Sequence, residues 1–146
     1  MIDILKTNVK GENLLDLYCG VGFLGLSISE NFKNIYGVEI NKNSVLDAIK
    51  NSEINNIYNS YFICGDSSNV SDKINNKIDT IIVDPPRTGL FGNTIKYILK
   101  FSKKYICVAI MISCFFANLE NVLAAKINFY SALGLLQLCT DKTNKL

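Results

Sequence analysis

The chain has 146 residues, room for one domain and one core. Hydrophobic residues make up 49% and charged residues 19%, a globular composition rather than a disordered one. The formal net charge of +2 is too mild to argue a nucleic-acid partner by itself. The longest uncharged apolar run, Tyr105 to Phe116, falls short of the ~18 residues needed to cross a bilayer. The N-terminal Met1 to Lys6 resembles neither a signal peptide nor a transit peptide, so the expected location is cytoplasmic. Five cysteines stand at 19, 64, 107, 114 and 139, none as CxxC, and histidine is absent. That spacing argues against a zinc site and against a disulfide framework, so no metal is expected.

Asn13 to Tyr18 reads as a buried strand, Phe23 to Asn31 as a helix after a glycine turn, and Asn34 to Ile40 as a second strand. Asn41 to Asn55 reads as a helix capped by Asn41, and Ser60 to Cys64 as a third strand. Ser67 to Asn76 fits either a short helix or a loop. Ile78 to Val83 is a fourth strand ended by prolines, Gly92 to Ser102 a helix, and Tyr105 to Ile112 a fifth strand. Ala117 to Lys126 is a further helix, and Leu135 to Cys139 fits a sixth strand. Strands alternating with helices, and apolar along most of their length, predict a doubly wound α/β domain with a mostly parallel sheet. Ligands in such sheets bind beyond the carboxyl ends of the strands, and the acids and glycines of this chain fall there. No linker or domain boundary is visible, so residues 1–146 are expected to form a single domain.

The first strand runs into Asp16-Leu-Tyr-Cys-Gly20-Val-Gly22-Phe-Leu-Gly25, with Glu39 ending the second strand. On spacing alone this GxGxxG also fits a dinucleotide fingerprint. Asp16 argues otherwise: its carboxylate would repel a pyrophosphate, and no Lys or Arg in the loop compensates. A cationic ligand fits better. S-adenosyl-L-methionine carries an ammonium and a sulfonium and no phosphate, and D-x-x-x-G-x-G with an acid ending strand two resembles the way class I methyltransferases hold it. Glu39 can then accept from both ribose hydroxyls. Asp66 can accept from the adenine amino group, or is simply a solvated loop acid.

The two prolines and the single arginine of the chain adjoin in Asp84-Pro-Pro-Arg87. Methyltransferases acting on exocyclic amino groups carry an aromatic residue where this chain has Arg87, which favours a different acceptor atom. Ser113-Cys114 ends the fifth strand, expected beside the fourth, so Cys114 would share a cleft with Asp84 and is a candidate nucleophile. Cys64, Cys107 and Cys139 are expected to be small buried hydrophobes.

Together, Asp16 to Gly22, Gly37 to Ile40, Ala48 to Asn56, Asp84 to Leu90 and Ser113-Cys114 resemble the RNA 5-methyluridine methyltransferases, over about residues 10 to 125. The resemblance implies a Rossmann-like class I methyltransferase domain lacking the last strand, truncated at both ends relative to the family. It implies S-adenosyl-L-methionine as cofactor, bound through Asp16, Tyr18, Gly20, Gly22, Glu39, Asp66 and Asp84, and a uridine of tRNA or rRNA as substrate. Cys114 matches the nucleophile that adds to uracil C6, and Arg87 lies where it could orient the base. Three features depart from the family. Ser113-Cys114 continues into Phe115-Phe116 where the family has Asn-Pro, the downstream Glu that accepts the proton has no counterpart, and the upstream RNA-binding region is missing. Weak RNA binding follows for this chain alone, and a non-catalytic cofactor-binding fragment or degenerate paralogue is the alternative to an active enzyme.

Overall fold

The computed structural model describes residues 2–72, 74, 76–84, 90, 92–101, 104–107 and 137–138. The described strands form one sheet in the order β3-β2-β1-β4-β5-β6. They are β1 (Gly11–Leu17), β2 (Phe32–Glu39), β3 (Ser60–Cys64), β4 (Thr80–Val83), β5 (Lys104–Cys107) and β6 (Gln137–Leu138). β1 to β5 pair in parallel, and β6 pairs antiparallel with β5. The chain starts in the middle of the sheet, builds outward through β2 and β3, then returns to β4 beside β1. That reversal between β1 and β4 opens a crevice at the carboxyl ends of the central strands, where open α/β sheets take their ligands.

The helices are α1 (Ile2–Asn8), α2 (Phe23–Ser27), α3 (Lys42–Ile54) and α4 (Gly92–Phe101). Leu14, Ile35 and Ile82 of the sheet pack with Leu5 and Val9 at the N-terminal end and with Leu24 and Ile28 of the α2 region. Leu15, Leu17, Val38, Ile81 and Val83 face the other way, against Ile74, Ile78, Tyr97 and Ile98. Both faces of β1 and β4 are therefore covered, which is why these strands read as continuous apolar runs.

Asn41 caps α3 as expected, its side-chain oxygen accepting from the N–H groups of Asn43 at 2.9 Å and Ser44 at 3.3 Å. α2 is shorter than the expected Phe23 to Asn31. Ser27 Oγ donates back to the Phe23 carbonyl at 2.6 Å, a contact that bends helices. The chain then tightens into a 3₁₀ turn, Ser29–Asn31. The polar stretch after β3 is likewise 3₁₀, Ser67–Asp72. α1 was not expected from the sequence. The Asn31 amide donates to the Lys6 and Val9 carbonyls at 2.7 Å each, tying the end of α1 to the end of the 3₁₀ turn. Of the expected fifth strand, residues 108–112 lie outside the described residues, as does the helix expected over 117–126.

Candidate functional site

β1 ends in a loop whose conformation only certain residues tolerate. Gly22, at the N-terminus of α2, has φ +83°, and Gly20 has φ +53°. Tyr18 also has positive φ, 61°, a costly state for a residue with a Cβ. Strand alternation would put Tyr18 on the same face as Asp16. Instead it packs against the opposite cluster of Leu15 and Leu17 and lines the cleft. A Cβ on Gly20 would meet nothing within 4 Å, so the loop presents bare backbone to open space there.

Asp16 lies beneath this loop with 1% exposure. Its Oδ2 accepts from the Gly25 N–H of α2 at 2.9 Å. A side chain on Gly25 would place its Cβ 3.0 Å from that oxygen, which accounts for the third glycine of the motif. Oδ1 is buried with no partner, as is the Tyr18 hydroxyl. Burial lifts the Asp16 carboxyl from 3.8 to about 7; the Gly25 hydrogen bond opposes the rise and the Asp84 carboxylate adds to it.

Glu39, at the end of β2, uses both carboxylate oxygens to fix backbone. Oε2 accepts from the Gly20 N–H at 3.1 Å and Oε1 from the Asn41 N–H at 2.8 Å. The group joins the glycine loop to the start of α3 and keeps lone pairs for a ligand. Asp66, after β3, accepts from the Ser68 N–H at 2.7 Å, and hydrogen bonding by Ser68 holds its carboxyl below the ordinary range. Next to it Ser67 is buried and shares a 3.3 Å hydrogen bond with Thr94 of α4. Asp84 follows β4, its N–H 3.4 Å from the Leu17 carbonyl, and partial burial raises its carboxyl pKa.

These elements enclose a cleft of about 320 Å³ lined by Tyr18, Val38, Glu39, Ile40, Gly65, Asp66, Ser67 and Asp84. The structure thus brings Tyr18, Glu39, Asp66 and Asp84 into one wall. Asp16 from β1 and Gly20 and Gly22 from the loop stand behind that wall and do not line it. Arg87 and Cys114 lie outside the described residues. The apolar part of the lining was missed from sequence. Val38 and Ile40 flank Glu39, and Ile40 is 69% exposed, so it offers a flat apolar surface at the cleft. The signal was the Val-Glu-Ile triplet at a strand end, where an acid between two branched apolar residues combines a hydrogen-bonding and a stacking element.

The expected burial of Cys64 is corrected. β3 is the sheet edge, and the Cys64 thiol is exposed, 3.7 Å from the Ile40 carbonyl. Cys19 is the buried one. Burial and the nearby Asp16 and Glu39 carboxylates push its thiol far above the usual range, so it carries almost no thiolate at neutral pH. Among the described residues no helix is long and apolar enough to cross a membrane.

The cleft chemistry has clear parallels. Residues 1–129 match the family described as tRNA (uracil-5-)-methyltransferase. An uncharacterised RNA methyltransferase of Clostridium acetobutylicum is 39% identical over 107 residues, covering 73% of this chain and 23% of that protein. One from Staphylococcus aureus is 38% identical over 108 residues, covering 70% and 23%. The chain spans about a quarter of the length of the curated relatives it matches. Among solved structures, the Pyrococcus abyssi tRNA (uracil-54, C5)-methyltransferase in complex with S-adenosyl-L-homocysteine superposes with a TM-score of 0.70 at 28% identity, covering 82% of this chain and 30% of that one. An rRNA methylase from Streptococcus thermophilus shares the fold alone, with a TM-score of 0.74 at 14% identity over 97% of this chain and 94% of that one. The sheet is that of a Rossmann-like class I methyltransferase, and the extent of the family match makes this chain a member of the tRNA (uracil-5-)-methyltransferase family.

Proposed function

We propose that the cleft holds S-adenosyl-L-methionine and that the chain contributes the catalytic domain of an RNA uracil-C5 methyltransferase. The observation that carries the cofactor half is the charge of the cleft. Glu39, Asp66 and Asp84 line it, no basic side chain appears among the described lining residues, and the unpartnered Asp16 Oδ1 lies buried beside them. Such a site repels a pyrophosphate and attracts an ammonium or sulfonium. Its volume falls within the range of small-molecule sites. Glu39 would take the ribose hydroxyls, Val38 and Ile40 the adenine face, Asp66 the adenine amino group, and Asp84 with Asp16 behind it the ammonium. Bound there, the sulfonium supplies an electrophilic methyl group.

Activation of the uracil falls to the chain's own residues. Uracil C5 is a poor nucleophile while the C5–C6 double bond is intact. Addition of the Cys114 thiolate to C6 moves that electron pair onto C5 and the C4 carbonyl oxygen, and Arg87 would stabilise the resulting enolate charge. After methylation, a general base takes the C5 proton, a role the family resemblance gives to a Glu downstream of Cys114, and the C–H electron pair restores the C5–C6 double bond and expels the thiolate. Tyr105 and Ile106 of β5 pair beside Ile81 and Ile82 of β4, consistent with the ends of the two strands opening into one cleft. Support for the uracil half comes from the family match and from the name of the Pyrococcus abyssi neighbour.

The test uses RNA containing 5-fluorouridine with S-adenosyl-L-methionine and the 146-residue chain. Fluorine cannot leave C5 as a proton does, so addition and methylation should stop at a covalent protein–RNA adduct stable on a denaturing gel. The adduct should vanish in Cys114→Ala. An adduct that survives in that variant would exclude Cys114. No adduct with a chain that binds S-adenosyl-L-homocysteine would instead favour a non-catalytic cofactor-binding role.

A further inference from the structure

We infer that Asn51 is a positioning residue for the cofactor loop, acting through the carbonyl of Val21; this rests on the function proposed above. Position 51 lies inside α3, where Val45, Ala48 and Ser52 supply the buried face. Asn is a weak helix former, so the helix itself gives no reason to place one there. Its amide leaves the helix and donates to the Val21 carbonyl at 3.0 Å, across 30 residues of sequence.

The recipient explains the choice. The loop after β1 has little packing of its own, since Val21 and Phe23 are both exposed. Its backbone is tied down by hydrogen bonds: Cys19 N–H to the Val38 carbonyl at 3.2 Å, Gly22 N–H to the Cys19 carbonyl at 2.8 Å, and Gly20 N–H to Glu39 at 3.1 Å. Those three use donors of the loop. Asn51 meets an acceptor, the Val21 carbonyl, between the two glycines of positive φ. Glycines lose more conformational freedom on ordering than any other residue, so a tie placed between them restricts the peptide units that most need it. Glu39 and Asn51 then hold the loop through β2 and α3, at the Cys19–Gly20 and Val21–Gly22 peptide units on either side of the Gly20–Val21 peptide. The Ala48 to Asn56 stretch, which carries part of the family resemblance but supplies no residue to the cleft lining, thereby acquires a function through Asn51.

Two variants and two readouts test this. Asn51→Asp keeps the shape and removes the donor; Asn51→Gln keeps an amide on a longer arm. In the ligand-free chain, amide hydrogen exchange at Gly20 and Gly22 should accelerate about five- to tenfold in Asn51→Asp, the scale of one neutral hydrogen bond, with β1 and β2 amides unchanged. Calorimetric titration should show S-adenosyl-L-homocysteine binding about five- to tenfold weaker in Asn51→Asp, and within about threefold of wild type in Asn51→Gln. Wild-type exchange and affinity in Asn51→Asp would overturn the assignment. So would a uniform acceleration across α3 and the sheet, which marks a structural role only. If the wild-type chain fails to bind S-adenosyl-L-homocysteine, the proposed function falls, while loop exchange still decides the role of Asn51.

Discussion

Asp16→Asn is expected to raise the thermal midpoint of the ligand-free protein at pH 8 while weakening S-adenosyl-L-homocysteine binding about tenfold, the loss of one charge-assisted interaction. The two effects share a cause. The folded-state pKa of Asp16 is raised from 3.8 to about 7, so protonation favours the folded state. The sign follows: this group costs nothing below about pH 4, the cost grows as pH rises toward 7, and above 7 all of it is present. A rise of that size corresponds to on the order of 4 kcal/mol. Asn keeps an oxygen for the Gly25 N–H but leaves an amide donor unpaired where Oδ1 stood, returning about 1–3 kcal/mol of the gain. The variant should therefore be more stable at pH 8 and no more stable at pH 4.5, which thermal melts at the two values check. The same charge should make wild-type binding tighten as pH rises through 7, and Asp16→Asn should flatten that dependence. A midpoint lowered equally at both pH values would mean that the carboxylate is a structural acceptor and nothing more.

Gly37→Ala should destabilise the fold by about 3 kcal/mol, at the upper end for overpacking a filled core. Gly37 stands in β2 beside Asp16 of β1 and Phe62 of β3. A Cβ there would sit 2.5 and 2.7 Å from Phe62 ring carbons and 2.9 Å from the Cys19 sulfur. The same side of the ring also approaches Gly22, where a Cβ would lie 3.0 Å from Cζ and 3.1 Å from Cε1, so the ring depends on both positions lacking a side chain. Phe62 thus packs against two glycines, one in β2 and one in the loop after β1. The midpoint should fall by roughly 6–12 °C for a domain of this size. Shrinking the ring in Gly37→Ala/Phe62→Leu should recover part of it, a non-additivity that denaturation of the single and double variants measures. Simple additivity would show that the clash is relieved elsewhere.

Much of this was legible in the sequence, for local reasons. The strands are apolar runs with turn residues between them, and Asn41 is an N-cap by residue type and position, so the β–α alternation and the start of α3 were readable. The acids at the ends of β1 to β4 were readable because the topology sends strand ends to one edge. What was not readable depends on contacts distant in sequence. α1 is a short, mostly polar segment whose Leu5 packs in one cluster with Leu24 and Ile28. Tyr18 changes faces through a positive φ that no residue pattern announces. Asp16 is a buried carboxylate with Oδ2 held by the Gly25 N–H and Oδ1 unpartnered, an arrangement that no residue pattern announces. The burial expected for Cys64 failed because residue type does not reveal that β3 is the sheet edge.

The most direct measurement of the central claim, that a carboxylate-lined cleft takes a cationic adenosine cofactor, is calorimetric titration of the chain with S-adenosyl-L-homocysteine and with NAD, in wild type and Glu39→Ala. Glu39 lines the cleft and also pins Gly20 and Asn41, so its removal strips both a ligand contact and a loop tie. The expected result is that S-adenosyl-L-homocysteine binds the wild-type chain, that NAD does not compete, and that Glu39→Ala weakens binding by roughly 1.5–3 kcal/mol. Tighter binding of NAD, or an affinity for S-adenosyl-L-homocysteine unchanged in Glu39→Ala, would contradict it.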